Sequence, residues 1–176
     1  MKPISEMSQI EVAAYVTSHL ATTGVSVVLS GGAAVGFHSN NRYVSADIDL
    51  INIYLVPRKI IIAAMSKIGF SEEARYFKHP ETEWVVEFPK GPLSVGDEPI
   101  DKVDNIKFST GVLKVLSAVD SVKDRLAGYY HFQDEQCLQQ AICICKEHRV
   151  DLSEIERWST NEGKLDEYYL FLKALK

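Results

Sequence analysis

An apolar run that ends in two glycines, followed by a strand-like segment with acids at alternate positions, constrains this chain more than any other feature. The first element is Val27-Val28-Leu29-Ser30-Gly31-Gly32 and the second is Ser45-Ala46-Asp47-Ile48-Asp49-Leu50. Side chains alternate across a strand, so Asp47 and Asp49 share one face while Ile48 and Leu50 share the other. Adjacent carboxylates repel, a cation between them relieves the repulsion, and hard oxygen donors suit Mg²⁺. The paired glycines allow close backbone approach, and their N–H groups can receive phosphate oxygens. Glycines for phosphate beside carboxylates for Mg²⁺ point to nucleotide chemistry.

The segments around these two elements read as a mixed α/β half. Ile4 to Leu20 carries an apolar helical face and stops at Thr22-Thr23-Gly24. Val25 to Leu29 is a short buried strand, and Ala33 to His38 is one or two turns of helix. A loop at Ser39-Asn40-Asn41 precedes the second strand, Ala46 to Ile53. Pro57 to Ile68 is a helix with proline at its start, ending before Gly69. Strands are expected at Phe70 to Phe77, Thr82 to Phe88, Asp101 to Lys107 and Thr110 to Leu116. From Ser121 onward no strand pattern survives. Ser121 to Phe132, Asp134 to His148, Leu152 to Thr160 and Lys164 to Leu175 all have helical periodicity. The expected architecture is α/β (α+β): a mixed sheet flanked by helices in residues 1–120, followed by a C-terminal helical half in residues 121–176 packed on it.

Size and charge narrow the choice further. The 176 residues suit one domain, or one domain with a helical extension. At 46% hydrophobic and 24% charged, the chain has enough apolar residues for a packed core. A net charge of −5 argues against a general nucleic-acid coat, which needs a basic surface, but leaves room for local docking of RNA or a nucleotide. The three cysteines, Cys137, Cys143 and Cys145, are odd in number and crowded together. With no apolar leader in Met1 to Leu20 and no run long enough to span a bilayer, a reduced cytoplasmic compartment and no membrane partner are expected. Cys143-Ile144-Cys145 lacks a zinc pattern, and Cys137, Ala141 and Cys145 fall on one helical stripe, as a buried thiol cluster does. His38, His79, His131 and His148 show no metal-ligand spacing.

The order Gly-Gly after a strand, then acid–hydrophobic–acid, resembles the polymerase-beta-type nucleotidyltransferase superfamily. The stretch Arg42-Tyr43-Val44-Ser45-Ala46-Asp47-Ile48-Asp49-Leu50 is more specifically similar to the abortive-infection AbiEii-type toxin nucleotidyltransferases, in which an Arg and a Ser or Thr precede the two acids. Fourteen residues separate Gly32 from Asp47, a spacer slightly longer than usual, which implies a longer loop. A two-metal phosphoryl-transfer site generally needs a third carboxylate. Glu87, in Glu83-Trp84-Val85-Val86-Glu87-Phe88, lies on an apolar strand after the acid pair, where the superfamily pattern requires one; most relatives carry Asp there. Its plain alternative is a solvent-facing strand residue.

The resemblance implies a role for each of these residues. Asp47, Asp49 and Glu87 would bind Mg²⁺ or Mn²⁺, with Glu87 completing the site or acting as base. Ser30, Gly31 and Gly32 would hold the β- and γ-phosphates of a nucleoside triphosphate (NTP). Arg42 would hold a phosphate or a site carboxylate, and Ser45 would cap the approach to Asp47; the plain alternative for each is a loop residue. Lys123 would contact the triphosphate, and Arg125 would pair with a carboxylate across the cleft. For Lys123 and Asp124 the competing reading is a solvated first turn, with Ser121 and Asp124 forming a capping box. The implied activity is transfer of a nucleoside monophosphate (NMP) group to an RNA or protein hydroxyl, by a toxin with an antitoxin partner. A non-catalytic nucleotide- or partner-binding module that keeps the fold is the alternative.

Overall fold

The computed structural model describes residues 2–176. After a 3-10 turn at Ile4–Glu6 the chain enters helix α1, Gln9–Thr22, which opens on a capping box between Ser8 and Glu11. Each side chain there bonds the other's backbone N–H, satisfying donors that a helix start leaves free. Gly24, at φ +80°, turns the chain into strand β1, Val27–Ser30, every residue of which is buried. Helix α2, Gly31–His38, begins directly at the end of β1, and strand β2, Asp47–Asn52, follows its loop. The helix after β2 is α3, Arg58–Ser66, preceded by Pro57. Strands β3, Ser71–Glu73, and β4, Tyr76–Lys78, form a hairpin where sequence periodicity suggested one short strand. Strand β5 covers only Val85–Glu87 of the expected Thr82 to Phe88. A separate two-stranded ribbon, β6 (Ser94–Val95) and β7 (Glu98–Pro99), precedes the hairpin of β8 (Asp104–Phe108) and β9 (Gly111–Val115).

Seven strands make one mixed sheet in the order β3-β4-β5-β2-β1-β9-β8. β1 and β2 are antiparallel, whereas β2–β5 and β1–β9 are parallel pairs. Along β2 burial alternates strictly: Ile48 and Leu50 are fully buried, and Asp47 and Asp49 only partly. The apolar side of this alternation joins the main core with Val12, Val16 and Leu20 of α1 and Ile61 and Met65 of α3. Burying a side chain such as Leu50 contributes roughly 1.5–3 kcal/mol. The register of β2 is therefore strongly specified, because a one-residue slip would exchange its acids with its core residues.

The C-terminal part is helical throughout: α4, Ala118–Phe132; α5, Glu135–Glu147; α6, Leu152–Asn161; and α7, Leu165–Leu175. Its first helix starts three residues earlier than periodicity indicated. The cap is Ser117, which accepts the Asp120 N–H, and not Ser121, which is buried with its hydroxyl against the Leu116 carbonyl. Asp134 and Asp151 cap α5 and α6 in the same way. A second core gathers Leu126, Tyr130, Ile144, Ile155, Trp158 and Phe171 and includes Val35 of α2 and Val95 of the ribbon. Trp158 donates its indole N–H to the Val95 carbonyl, locking the ribbon to α6. The helical half thus packs through a core that residues from the first half help to build. Among the described residues no helix is long and apolar enough to cross a membrane.

Candidate active site

Strand pairing brings the acids together. Asp49 lies opposite Ser30 on β1 and opposite Glu87 on β5, so Ser30, Asp49 and Glu87 form a row across three adjacent strands. Asp47 is two residues back along β2 and shares the face of Asp49. One carboxylate oxygen from each of Asp47, Asp49 and Glu87 lies within 4.8 Å of the others. Burial, reinforced by the negative charges of Asp47 and Glu87, pushes the Asp49 carboxyl up to about 6. Three carboxylates without a nitrogen or sulfur donor form a hard set that fits Mg²⁺ or Mn²⁺. A divalent cation there would offset the repulsion that raises Asp49.

Gly31 is where the phosphate side of the site meets the acid side. It sits at φ +63°, and a Cβ at this position would fall 2.2 Å from Asp49 Oδ2. Gly32 is tight as well, with a Cβ placed 2.7 Å from Ser45 Oγ. A Cβ at Gly31 would displace the Asp49 side chain, and one at Gly32 the Ser45 side chain. Ser30, at the N-cap of α2, makes no side-chain capping bond. The first N–H groups of α2 therefore have no side-chain cap, and a helix start of this kind favours anions. An anion-favouring helix end and a cation-favouring carboxylate set share one corner.

Neighbouring residues fix this corner. The Ser45 hydroxyl donates to Asp47 Oδ1 at 3.2 Å and accepts the Asp47 N–H at 3.4 Å. Gln9 of α1 donates its side-chain amide to the Ser45 and Asp47 carbonyls at 2.9 and 3.3 Å. Nothing in the pattern around Gln9 signals this contact, because it spans 36 residues and closes only in the folded chain. Arg125 of α4 is bidentate to Asp124 Oδ2 and also donates to Gln140. Its positive charge works against the rise in Asp49, while the negative charge of Asp124 adds to it. Both α4 residues thus face the acids electrostatically. Arg75, which sequence reasoning also passed over, places Nε 3.4 Å from Glu87 Oε1.

Two expected phosphate contacts lie elsewhere. Arg42 pairs with Glu147 at the end of α5, so it ties the loop before β2 to the helical half. Lys123 is buried and meets Glu154 at 2.6 Å, with Glu98 and Asp120 each at 3.8 Å. Two residues along a helix correspond to about 200° of rotation, so Lys123 and Arg125 project to nearly opposite sides of α4. Arg157 completes the Lys123 cluster, and Arg157 with Lys123 pulls the Glu154 carboxyl down to about 2 against burial. This arrangement clamps α4, α6 and the ribbon. The cysteines are free, and burial pushes the thiols of Cys137 and Cys145 up to about 11 and about 12.

No family model matches the chain, and no curated protein matches it. Two solved structures are similar to it. One is the solution structure of the antibiotic-resistance factor ANT(2'')-Ia, 12% identical, with a TM-score of 0.48, covering 94% of this chain and 91% of that one. The other is the crystal structure of ANT(2'')-Ia in complex with adenylyl-2''-tobramycin, 13% identical, with a TM-score of 0.48, covering 96% of this chain and 98% of that one.

Proposed function

We propose that this chain is a metal-dependent nucleotidyltransferase of the polymerase-beta type, moving an NMP group from an NTP to an acceptor hydroxyl. The observation that carries this reading is the corner at Gly31, where the uncapped start of α2 meets the Asp47, Asp49 and Glu87 carboxylates. The N–H groups of α2 with Ser30 receive the β- and γ-phosphate oxygens. Asp47, Asp49 and Glu87 are the residues that would hold Mg²⁺ or Mn²⁺. Bound there, such a metal would supply charge neutralisation at the phosphoryl oxygens. The acceptor oxygen forms a bond to the α-phosphorus as the α–β bridging bond breaks, and pyrophosphate leaves. Glu87 takes the hydroxyl proton. Ser45 and Gln9 hold Asp47 in place, and Arg125 moderates the charge at Asp49.

The likeness of Arg42 to Leu50 to AbiEii-type sequences supports an RNA or protein hydroxyl as acceptor, and a toxin role with an antitoxin partner. The expected division at residues 120 and 121 goes with this reading when moved to the start of α4 at Ala118, with Arg125 of α4 acting on Asp49 through its charge. A second reading rests on Arg75. Its ion pair with Glu87 engages the third carboxylate, as in a module that binds nucleotide without turning it over.

Thermal unfolding with and without Mg²⁺ and each of the four NTPs tests the binding common to both readings. Ligand that binds only the folded state stabilises it by about 2.7 kcal/mol at 100 times Kd. A metal-dependent rise in Tm with at least one NTP is expected. No rise with any NTP in the presence of metal contradicts both.

A further inference from the structure

We propose that the cavity beside Glu87 is an acceptor subsite for a phosphate-bearing molecule, with Arg75 and Lys90 as its charge-selecting residues. This rests on the nucleotidyltransferase reading and adds the chemical class of the acceptor. The cavity has a volume of about 400 Å³, enough for one nucleotide-sized unit, and Glu87 stands in its wall. An acceptor hydroxyl placed there is adjacent to the group that takes its proton.

The charges in this wall select for anions. Arg58, Arg75 and Lys90 line the cavity, and Glu87 is the acid among its lining residues. Arg58 is held by Glu72 through Nε and donates Nη2 to the Arg75 carbonyl at 3.1 Å, with its guanidinium over the Phe77 ring. Its charge is therefore balanced and its position fixed. Lys90 is exposed and makes no ion pair among the described residues. Arg75 is balanced by Glu87 alone, at 3.4 Å, with a side chain 67% exposed. Once Glu87 is engaged at the metal site, Arg75 and Lys90 carry two uncompensated positive charges at the cavity. A polycationic acceptor would be repelled there, and a phosphate would gain charge-assisted hydrogen bonds.

Asn52 braces the floor of the cavity. It is only 7% exposed and lines the same cavity. Its Nδ2 donates to the Val56 carbonyl at 2.8 Å, which fixes the amide orientation, because a flip would set two oxygens against each other. Oδ1 is then buried with no hydrogen-bond partner. The loop that Asn52 holds includes Leu55 at φ +51°, an unusual conformation for a bulky residue, with its side chain in the cavity wall. Apolar Leu55 and Ile61 beside Arg75 and Lys90 suit a molecule with an apolar body and a phosphate.

The test uses the full chain and two readouts. In the first, a fluorescein-labelled short oligoribonucleotide and, in competition, a free ribonucleoside 5′-monophosphate are bound to the protein with Mg²⁺ and without NTP. In the second, transfer from α-labelled NTP with Mg²⁺ is measured onto the oligoribonucleotide, the monophosphate, an unphosphorylated Ser/Tyr peptide and a polycationic amino sugar. Binding of the labelled probe, weakened about tenfold or more by Arg75→Glu with Lys90→Glu and unaffected by Glu83→Gln, is expected. The same double change should raise the KM for the phosphorylated acceptor while leaving that for NTP within about threefold. Competition by the monophosphate assigns the subsite to one nucleotide unit; its failure assigns it to a strand. Charge-sensitive probe binding without transfer to any acceptor retains the subsite and overturns the enzymatic reading. Transfer to the peptide or amino sugar with no charge-sensitive probe binding retains the enzyme and overturns the subsite.

Discussion

Asp49 and Glu87 are register partners on the adjacent parallel strands β2 and β5. Thirty-eight residues apart in sequence, they become neighbours because each strand buries its alternate side chains: Ile48 and Leu50 on β2, and Val86 on β5. Core packing therefore sets the carboxylate geometry, and substitutions can separate charge from shape.

Replacing Asp47 or Asp49 by Asn removes a charge and keeps the side-chain size. Each variant should lose NMP transfer and the Mg²⁺-dependent part of NTP stabilisation. Relief of repulsion should leave the metal-free Tm equal to or above that of the wild type. A large drop in Tm for both variants would mark the acids as structural.

Asp49 also gives the metal-free protein a pH signature. Its folded-state carboxyl is raised from 3.8 to about 6. The native state thus binds this proton more tightly than the unfolded chain does. The stability it contributes is fully present below the unfolded pKa and is lost as pH rises through about 6. At about 1.4 kcal/mol per pKa unit, the loss amounts to about 3 kcal/mol at most. Denaturant unfolding at about pH 5 and about pH 7.5 should show the wild type losing more stability than Asp49→Asn over this window. Identical profiles would contradict the geometry at Asp49.

Glu87 should matter more for turnover than for binding. Glu87→Gln should keep NTP affinity within about tenfold, or 1.4 kcal/mol. Turnover should fall by at least about 10²-fold, the low end for losing a general base. Glu83→Gln, two residues before the start of β5, should have little effect. Equal, small effects from the two changes would reduce Glu87 to a surface acid.

Gly31→Ala tests the corner itself. A left-handed backbone costs a non-glycine residue about 1–2 kcal/mol, and the new Cβ also meets Asp49 Oδ2. The variant should melt lower and lose Mg²⁺-dependent NTP binding. A variant that binds NTP normally would show that α2 does not approach the phosphates.

Lys123→Met should act on stability alone. It removes the cation shared by Glu154, Glu98 and Asp120, a loss of about 1 kcal/mol or less, because these carboxylates are partly exposed and Glu154 and Glu98 keep Arg157. NTP affinity, read from the Mg²⁺-dependent shift in Tm, should remain that of the wild type. A large loss of affinity in a folded variant would place Lys123 at the triphosphate after all.

Local pattern made some of this site legible and hid the rest. The alternation of Asp47-Ile48-Asp49-Leu50 is a period-2 signal, and the structure shows the face it indicates. Glu87 stands on the same kind of alternation, partly exposed beside buried Val86. Lys123 and Arg42 carry no such signal: each is a cation in a suitable sequence position, and what it pairs with depends on helices distant in sequence. Ser117 and Ser121 are each followed three residues later by Asp, so two equivalent caps were on offer, and burial of Ser121 decided between them. Gln9 and Arg75 act through contacts that exist only once β2 and β5 are paired with their neighbours.

Transfer of label from an α-labelled NTP to an acceptor in the presence of Mg²⁺, compared between the wild type, Asp47→Asn and Asp49→Asn, tests the central claim most directly. The account predicts metal-dependent labelling of an acceptor by the wild type, with pyrophosphate released, and none by either variant. Absence of labelling by a wild type that binds Mg²⁺ and NTP, or labelling that survives both substitutions, would contradict it.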